Sequence, residues 1–159
     1  MKTSFRTCFV AIALQILSLA GAGAAIAADA VIFTKKGASY EDVRTDLENA
    51  ILAEGLVIDL KGNVGAMLER TGRDVGSNVP IYNKAEYFVF CSARLSRAMM
   101  EADPANMSQC PYVMFIYQRV AAGSEVVVGY RKVIEQGRGA KALAEINAML
   151  ERIARKAVE

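Results

Sequence analysis

Histidine is missing altogether from the 159 residues. Its absence excludes a Ser-His-Asp triad, a Cys-His pair, a histidine-ligated zinc site and a CxxCH haem attachment site. Charge of one sign is also missing: 19 Lys and Arg stand against 17 Asp and Glu, and no basic run interrupts the chain. Such a chain is a poor nucleic-acid binder. Neither Pro and Gly nor polar residues are in excess, and 53% of residues are hydrophobic, which argues against wholesale disorder. The length fits one domain with one modest core. Gly72-Arg-Asp-Val-Gly76 lacks the Gly-Lys-Ser/Thr ending of a phosphate loop. Glu69, Asp74 and Glu86 have no partner carboxylate that would make a glycosidase dyad. No catalytic constellation emerges, so the expectation leans away from an enzyme.

What is present begins with a targeting signal. Lys2 and Arg6 precede an apolar run from Cys8 through Leu19, and a small-residue stretch follows to Ala28. Positive, apolar and small segments in that order read as a secretory signal peptide, with Ala25-Ile26-Ala27 as its cleavage signal. The expected division is a signal peptide over 1–27, cut after Ala27, and a single domain over 28–159. The localisation implied is periplasmic or secreted. Removing the leader also removes Lys2 and Arg6, which leaves a formally neutral chain. No second apolar run reaches spanning length, so the cleaved chain is not expected to be embedded in a membrane.

The remainder reads as alternating short elements. Val31 to Thr34 is a first strand. Ser39 and Asp42 resemble a capping box, and Val43, Leu47, Ala50 and Ile51 fall at helical spacing over about 40–54, with Gly55 as a left-handed stop. Residues 56–60 alternate as a strand with Leu56, Ile58 and Leu60 inward. The stretch 62–85 is punctuated by Gly72, Gly76, Asn78, Pro80 and Asn83, with a short helix near 64–70. Strands over 86–91, 112–117 and 125–130 follow, the last two joined by a hairpin loop at 121–124. A helix over 94–102 ends at Asp103-Pro104. Leu143, Ile146, Leu150, Ile153 and Ala157 line one face of a C-terminal helix over 139–157.

Two of these strands are apolar on both faces. One face belongs beneath the helices; the other is a ligand cleft, a dimer face or the underside of a loop. Phe88, Phe90, Tyr112, Tyr117 and Tyr130 are the candidates for a small apolar ligand or a protein partner, with plain core packing as the alternative.

Loss of the leader takes Cys8 with it and leaves Cys91 and Cys110. In an exported protein an even count suggests a disulfide. A redox role is a second reading, because Cys91 stands at the N-terminal edge of a predicted helix, where free N–H groups and Arg94 favour a thiolate. A third is Cu(I), held by Cys91, Cys110 and Met107, since thiolates and thioethers suit that ion. Met99, Met100 and Met114 are nearby but equally suit a core. These readings stay open together.

Tyr40-Glu-Asp-Val with Leu47, the Glu54-Gly55-Leu56-Val57 turn, the strand ending in Cys91, Ala102-Asp103-Pro104, and Cys110 before Val113-Met-Phe-Ile-Tyr117 resemble the family called domain of unknown function 302 (DUF302). The resemblance runs over about residues 31–134. In that pattern the first Cys is often followed by Asn-Pro and the second preceded by Leu-Pro; here Ser92-Ala93 follows Cys91 and Gln109 precedes Cys110. The resemblance implies a TATA-binding-protein-like α+β fold and a capacity to form homodimers, and it implies no reaction. The expected architecture is therefore strand-helix, antiparallel strands and a final helix, with one sheet and its helices mainly on one face. The expected function is that of an exported, non-catalytic α+β module that binds a small ligand or a protein partner. The alternative is a periplasmic thiol-redox or copper-handling accessory protein using Cys91 and Cys110.

Overall fold

A computed structural model describes residues 29–159. The expected leader over 1–27, its cleavage point after Ala27 and the first residue of the expected domain, Ala28, lie outside the described residues.

Local signals set each element. Ala30–Lys35 forms β1. Ser39 then caps α1 (Tyr40–Ala53), its Oγ accepting the Asp42 N–H at 3.1 Å. Gly55, at φ +74°, ends α1 in a conformation that a side chain would strain. After β2 (Val57–Asn63), Asn63 caps α2 (Val64–Thr71) through the Ala66 N–H at 2.8 Å. The remaining elements are β3 (Tyr82–Cys91), α3 (Ala93–Ala102), β4 (Tyr112–Arg119), β5 (Val126–Arg131) and α4 (Ala140–Ala157). Pro104–Gln109, expected as loop, is a 3-10 turn started by Asp103, whose carboxylate accepts the Ala105 N–H. Among the described residues no helix is long and apolar enough to cross a membrane.

The five strands form one antiparallel sheet in the order β1-β5-β4-β3-β2. This is the expected α+β architecture. Phe88 and Phe90 of β3, Tyr112, Met114 and Ile116 of β4, and Val126, Val128 and Tyr130 of β5 point to one face. There they meet Val43, Leu47 and Ile51 of α1, Leu95 and Met99 of α3, and Leu143, Ile146, Leu150 and Ile153 of α4. Burying these apolar stripes is the principal favourable term for the fold.

Two strand expectations need correction. Leu60 is 53% exposed rather than inward, because the β2–β3 register slips between Ile58 and Leu60. One extra residue reverses the alternation for the rest of the strand. Strand β3 begins four residues earlier than expected, since a second irregularity between Tyr82 and Lys84 absorbs Asn83 without ending the ladder.

The opposite sheet face carries a row of directly paired residues across all five strands: Gly62, Tyr87, Phe115, Gly129 and Ile32. The two rings lie over the glycines. A Cβ on Gly62 would strike the tip of Tyr87, and one on Gly129 would meet Phe115 Cζ at 2.5 Å and the Val31 carbonyl oxygen at 2.7 Å. The Tyr87 ring has freedom to swing aside, whereas the Val31 backbone does not. Gly129→Ala is therefore expected to destabilise the protein by about 2 kcal/mol, and Gly62→Ala by clearly less, in urea unfolding. Equal losses at the two positions would contradict this packing.

Candidate functional site

Of the five aromatic candidates, Phe88, Phe90, Tyr112 and Tyr130 are at most 2% exposed. They fill the core between sheet and helices. The reason is parity: their strands place them on the helix-covered face. Tyr117 alone of the five stands on the opposite face, half-buried, with Tyr82 at 5.4 Å and Phe115 at 6.2 Å between ring centroids. Tyr82, Tyr87 and Phe115 join it there and were not singled out in the sequence. Val89 and Val113 share that face, and Ile32, Val57 and Leu60 lie exposed at its margins.

Charged side chains are concentrated on the helix side. Glu86 accepts from Arg44 Nε at 2.8 Å and from the Tyr40 hydroxyl at 3.4 Å. Arg44 also pairs with Glu48, which Lys61 reaches at 2.8 Å. This network balances its own charges and ties α1 to β2 and β3. Burial, with Glu86 close by, raises the Tyr40 phenol above the usual tyrosine range.

Cys91 and Cys110 come together. The register pairs Phe90 with Tyr112, which sets the end of β3 beside the start of β4. Cys91 therefore follows directly on the residue paired with Tyr112, and Cys110 lies two positions before Tyr112 on the neighbouring strand's approach. Cys110 packs against the core, with Ser96 Oγ 3.8 Å from its sulfur, and Ser96 also shares a 2.9 Å hydrogen bond with the Tyr112 hydroxyl. Both cysteines are free thiols here. The thiolate-favouring surroundings expected at the helix N-terminus are not what Cys91 experiences. Burial first, then Cys110 and Asp59, push its thiol up to about 12. Arg94 is turned to Glu145 at 3.3 Å on the surface.

For the copper reading, Met99 and Met114 are sealed in the core, while Met107 is 61% exposed in the 3-10 turn. Among the described residues no group of three or more Cys, Asp and Glu gathers as a metal cluster.

Cys91 opens onto a cleft of about 650 Å³ between the end of α1, the start of α3 and α4. Two ion pairs border it: Arg152 grips Glu54 through two hydrogen bonds of 3.0 Å, and Arg94 pairs with Glu145; Asp59 adds a further carboxylate to the lining. The Arg152 hydrogen bonds hold the Glu54 carboxyl below its ordinary range.

Burial raises Cys91, Tyr40, Tyr112 (to about 12) and Tyr130 alike. In the unfolded chain these groups ionise near pH 8.5–10. Between the two sets of values the folded state holds protons that the unfolded state has lost. Stability is thus full below about pH 8 and falls progressively as pH rises beyond it. Urea midpoints measured at neutral pH and at about pH 10 should show that fall; an unchanged midpoint would contradict the burial of these groups.

The sequence profile of the domain of unknown function DUF302 matches residues 32–158. A crystal structure of an uncharacterised conserved DUF302 protein from Bacillus stearothermophilus is similar in fold, with a TM-score of 0.65 at 12% identity. The similarity covers 80% of this chain and 97% of that one. No curated protein matches the chain. With the profile spanning almost all the described residues, the chain belongs to the DUF302 family.

Proposed function

We propose that this chain is a non-catalytic binding module whose binding surface is the open face of the sheet, and that the same face of a second copy occupies it. The observation that carries the reading is the five-strand row Gly62, Tyr87, Phe115, Gly129 and Ile32, whose rings lie flat where side chains would otherwise project. A flat apolar surface with aromatic residues at its centre suits another sheet, since paired sheets stack about 10 Å apart. The three long helices α1, α3 and α4 cover the other side, while the short α2 packs against β3 beside Ala85 and leaves the Tyr87 and Phe115 rings half-buried and Ile32 exposed.

Five strands at ~4.8 Å and six residues at ~3.3 Å give a face of roughly 24 by 20 Å. That is several hundred Å² per copy, at or below the ~800 Å² per partner of a standard interface. The association should therefore be concentration-dependent rather than permanent. A small apolar ligand on the same rings is the other occupant this chemistry would accept.

Light scattering coupled to gel filtration tests the proposal. The chain should approach twice its monomer mass as concentration rises, and the double variant Phe115→Glu, Tyr117→Lys should remain monomeric throughout with an unchanged circular dichroism spectrum. If both proteins stay monomeric, and native mass spectrometry of the purified chain finds no apolar ligand, this reading fails.

A further inference from the structure

We propose that Cys91 and Cys110 are the dithiol half of a reversible disulfide, in which Cys91 exchanges with external disulfides and Cys110 closes the internal bond. The inference is independent of the sheet-face proposal. It rests on the juxtaposition of the two thiols and on the asymmetry of their surroundings.

The β3–β4 register places the end of one strand beside the start of the next, and the intervening segment of α3 and the 3-10 turn returns Cys110 to Cys91. Ser96, one turn into α3, contacts both the Cys110 sulfur and the Tyr112 hydroxyl and so fixes that return. The two cysteines are not equivalent. Cys91 lines the 650 Å³ cleft, whereas Cys110 packs against the core. A disulfide-bearing molecule reaching the cleft meets Cys91 first.

The exchange balances with a disulfide RSSR as oxidant. The Cys91 thiolate attacks one sulfur of RSSR, forming a mixed disulfide and releasing one RS⁻. The Cys110 thiolate then attacks Cys91, closing the internal bond and releasing the second RS⁻. The two protons lost by the protein thiols end on the two RS⁻ groups, so protein dithiol and RSSR become protein disulfide and two RSH. The two cysteines are oxidised and RSSR is reduced. Burial keeps Cys91 protonated at neutral pH, so the first step is slow there and accelerates about tenfold per pH unit through the alkaline range. That slowness suits a bond that changes state occasionally, rather than a turnover catalyst.

The test incubates the full chain, reduced, with oxidised glutathione, then blocks free thiols with an alkylating agent and maps peptides. The wild type should give a single internal Cys91–Cys110 bond at the expense of both alkylation adducts. Cys110→Ser should stop at a Cys91–glutathione mixed disulfide. In Cys91→Ser, Cys110 should acquire glutathione at least tenfold more slowly. The proposal is overturned if wild-type Cys91 and Cys110 both remain alkylatable, if either bonds to Cys8 or to another chain, or if Cys110 reacts in Cys91→Ser as fast as Cys91 does in Cys110→Ser. The wild-type map needs no variant, so misfolding of a serine variant leaves the question decidable.

Discussion

Replacing Asn147 with alanine is expected to remove about 3 kcal/mol of stability. Asn147 lies on α4 and is 6% exposed. Its Oδ1 accepts the Val133 N–H at 2.9 Å, and its Nδ2 donates to the Val133 carbonyl at 2.8 Å and to Glu135 at 2.6 Å. A single side chain thus satisfies both backbone groups of a residue that is itself buried. Alanine would leave that N–H and C=O without partners, and each buried unpaired group costs about 1–3 kcal/mol. The same segment accepts Asn106 at the Arg138 carbonyl and donates the Ile134 N–H to Gln109, the residue before Cys110. Loosening it should therefore also loosen the 3-10 turn that positions Cys110. Urea unfolding checks the prediction through a lowered midpoint at unchanged slope. A loss under about 0.5 kcal/mol would mean that water replaces the amide at no great cost.

Closing the Cys91–Cys110 bond is expected to raise stability by about 3 kcal/mol over the dithiol form, because the bond removes the freedom of a loop of roughly 20 residues from the unfolded chain. The β3–β4 register already brings the two cysteines to adjoining strand ends. Oxidation should also soften the alkaline loss of stability, because a disulfide removes Cys91 from the groups that ionise on unfolding. Unfolding of the reduced and oxidised chains at pH 7 and about pH 10 measures both effects. A bond that forms but leaves the midpoint unchanged would indicate native-state distortion equal to the entropic gain.

Most helices and strands of the described residues are legible because apolar spacing and Gly, Pro, Ser and Asn punctuation agree at their ends. The caps at Ser39 and the stop at Gly55 are local chemistry and were read directly. The inversion at Leu60 was not, since a single extra residue at Asp59 leaves no mark in composition. Which aromatic residues face the helices was likewise hidden. Phe88 and Phe90 alternate with Tyr87, Val89 and Cys91, and both sets are apolar enough to be core. Cross-strand register decides between them, and only with it do Gly62 and Gly129 become the places where rings lie down. The environment of Cys91 was misjudged for a related reason. Its position before a helix is sequential, but burial and the nearness of Cys110 and Asp59 are tertiary and outweigh the helix end. Arg152 and Glu54, whose pair borders the cleft, are 98 positions apart and carry no local signature.

Hydroxyl-radical footprinting across a concentration series probes the sheet face most directly. Labelling of Tyr87, Phe115 and Tyr117 should fall several-fold as the chain associates, while exposed Met107, outside the sheet, keeps its labelling. Labelling of those three rings that stays constant with concentration, or protection that appears on the helices instead, would contradict the open sheet face as the binding surface.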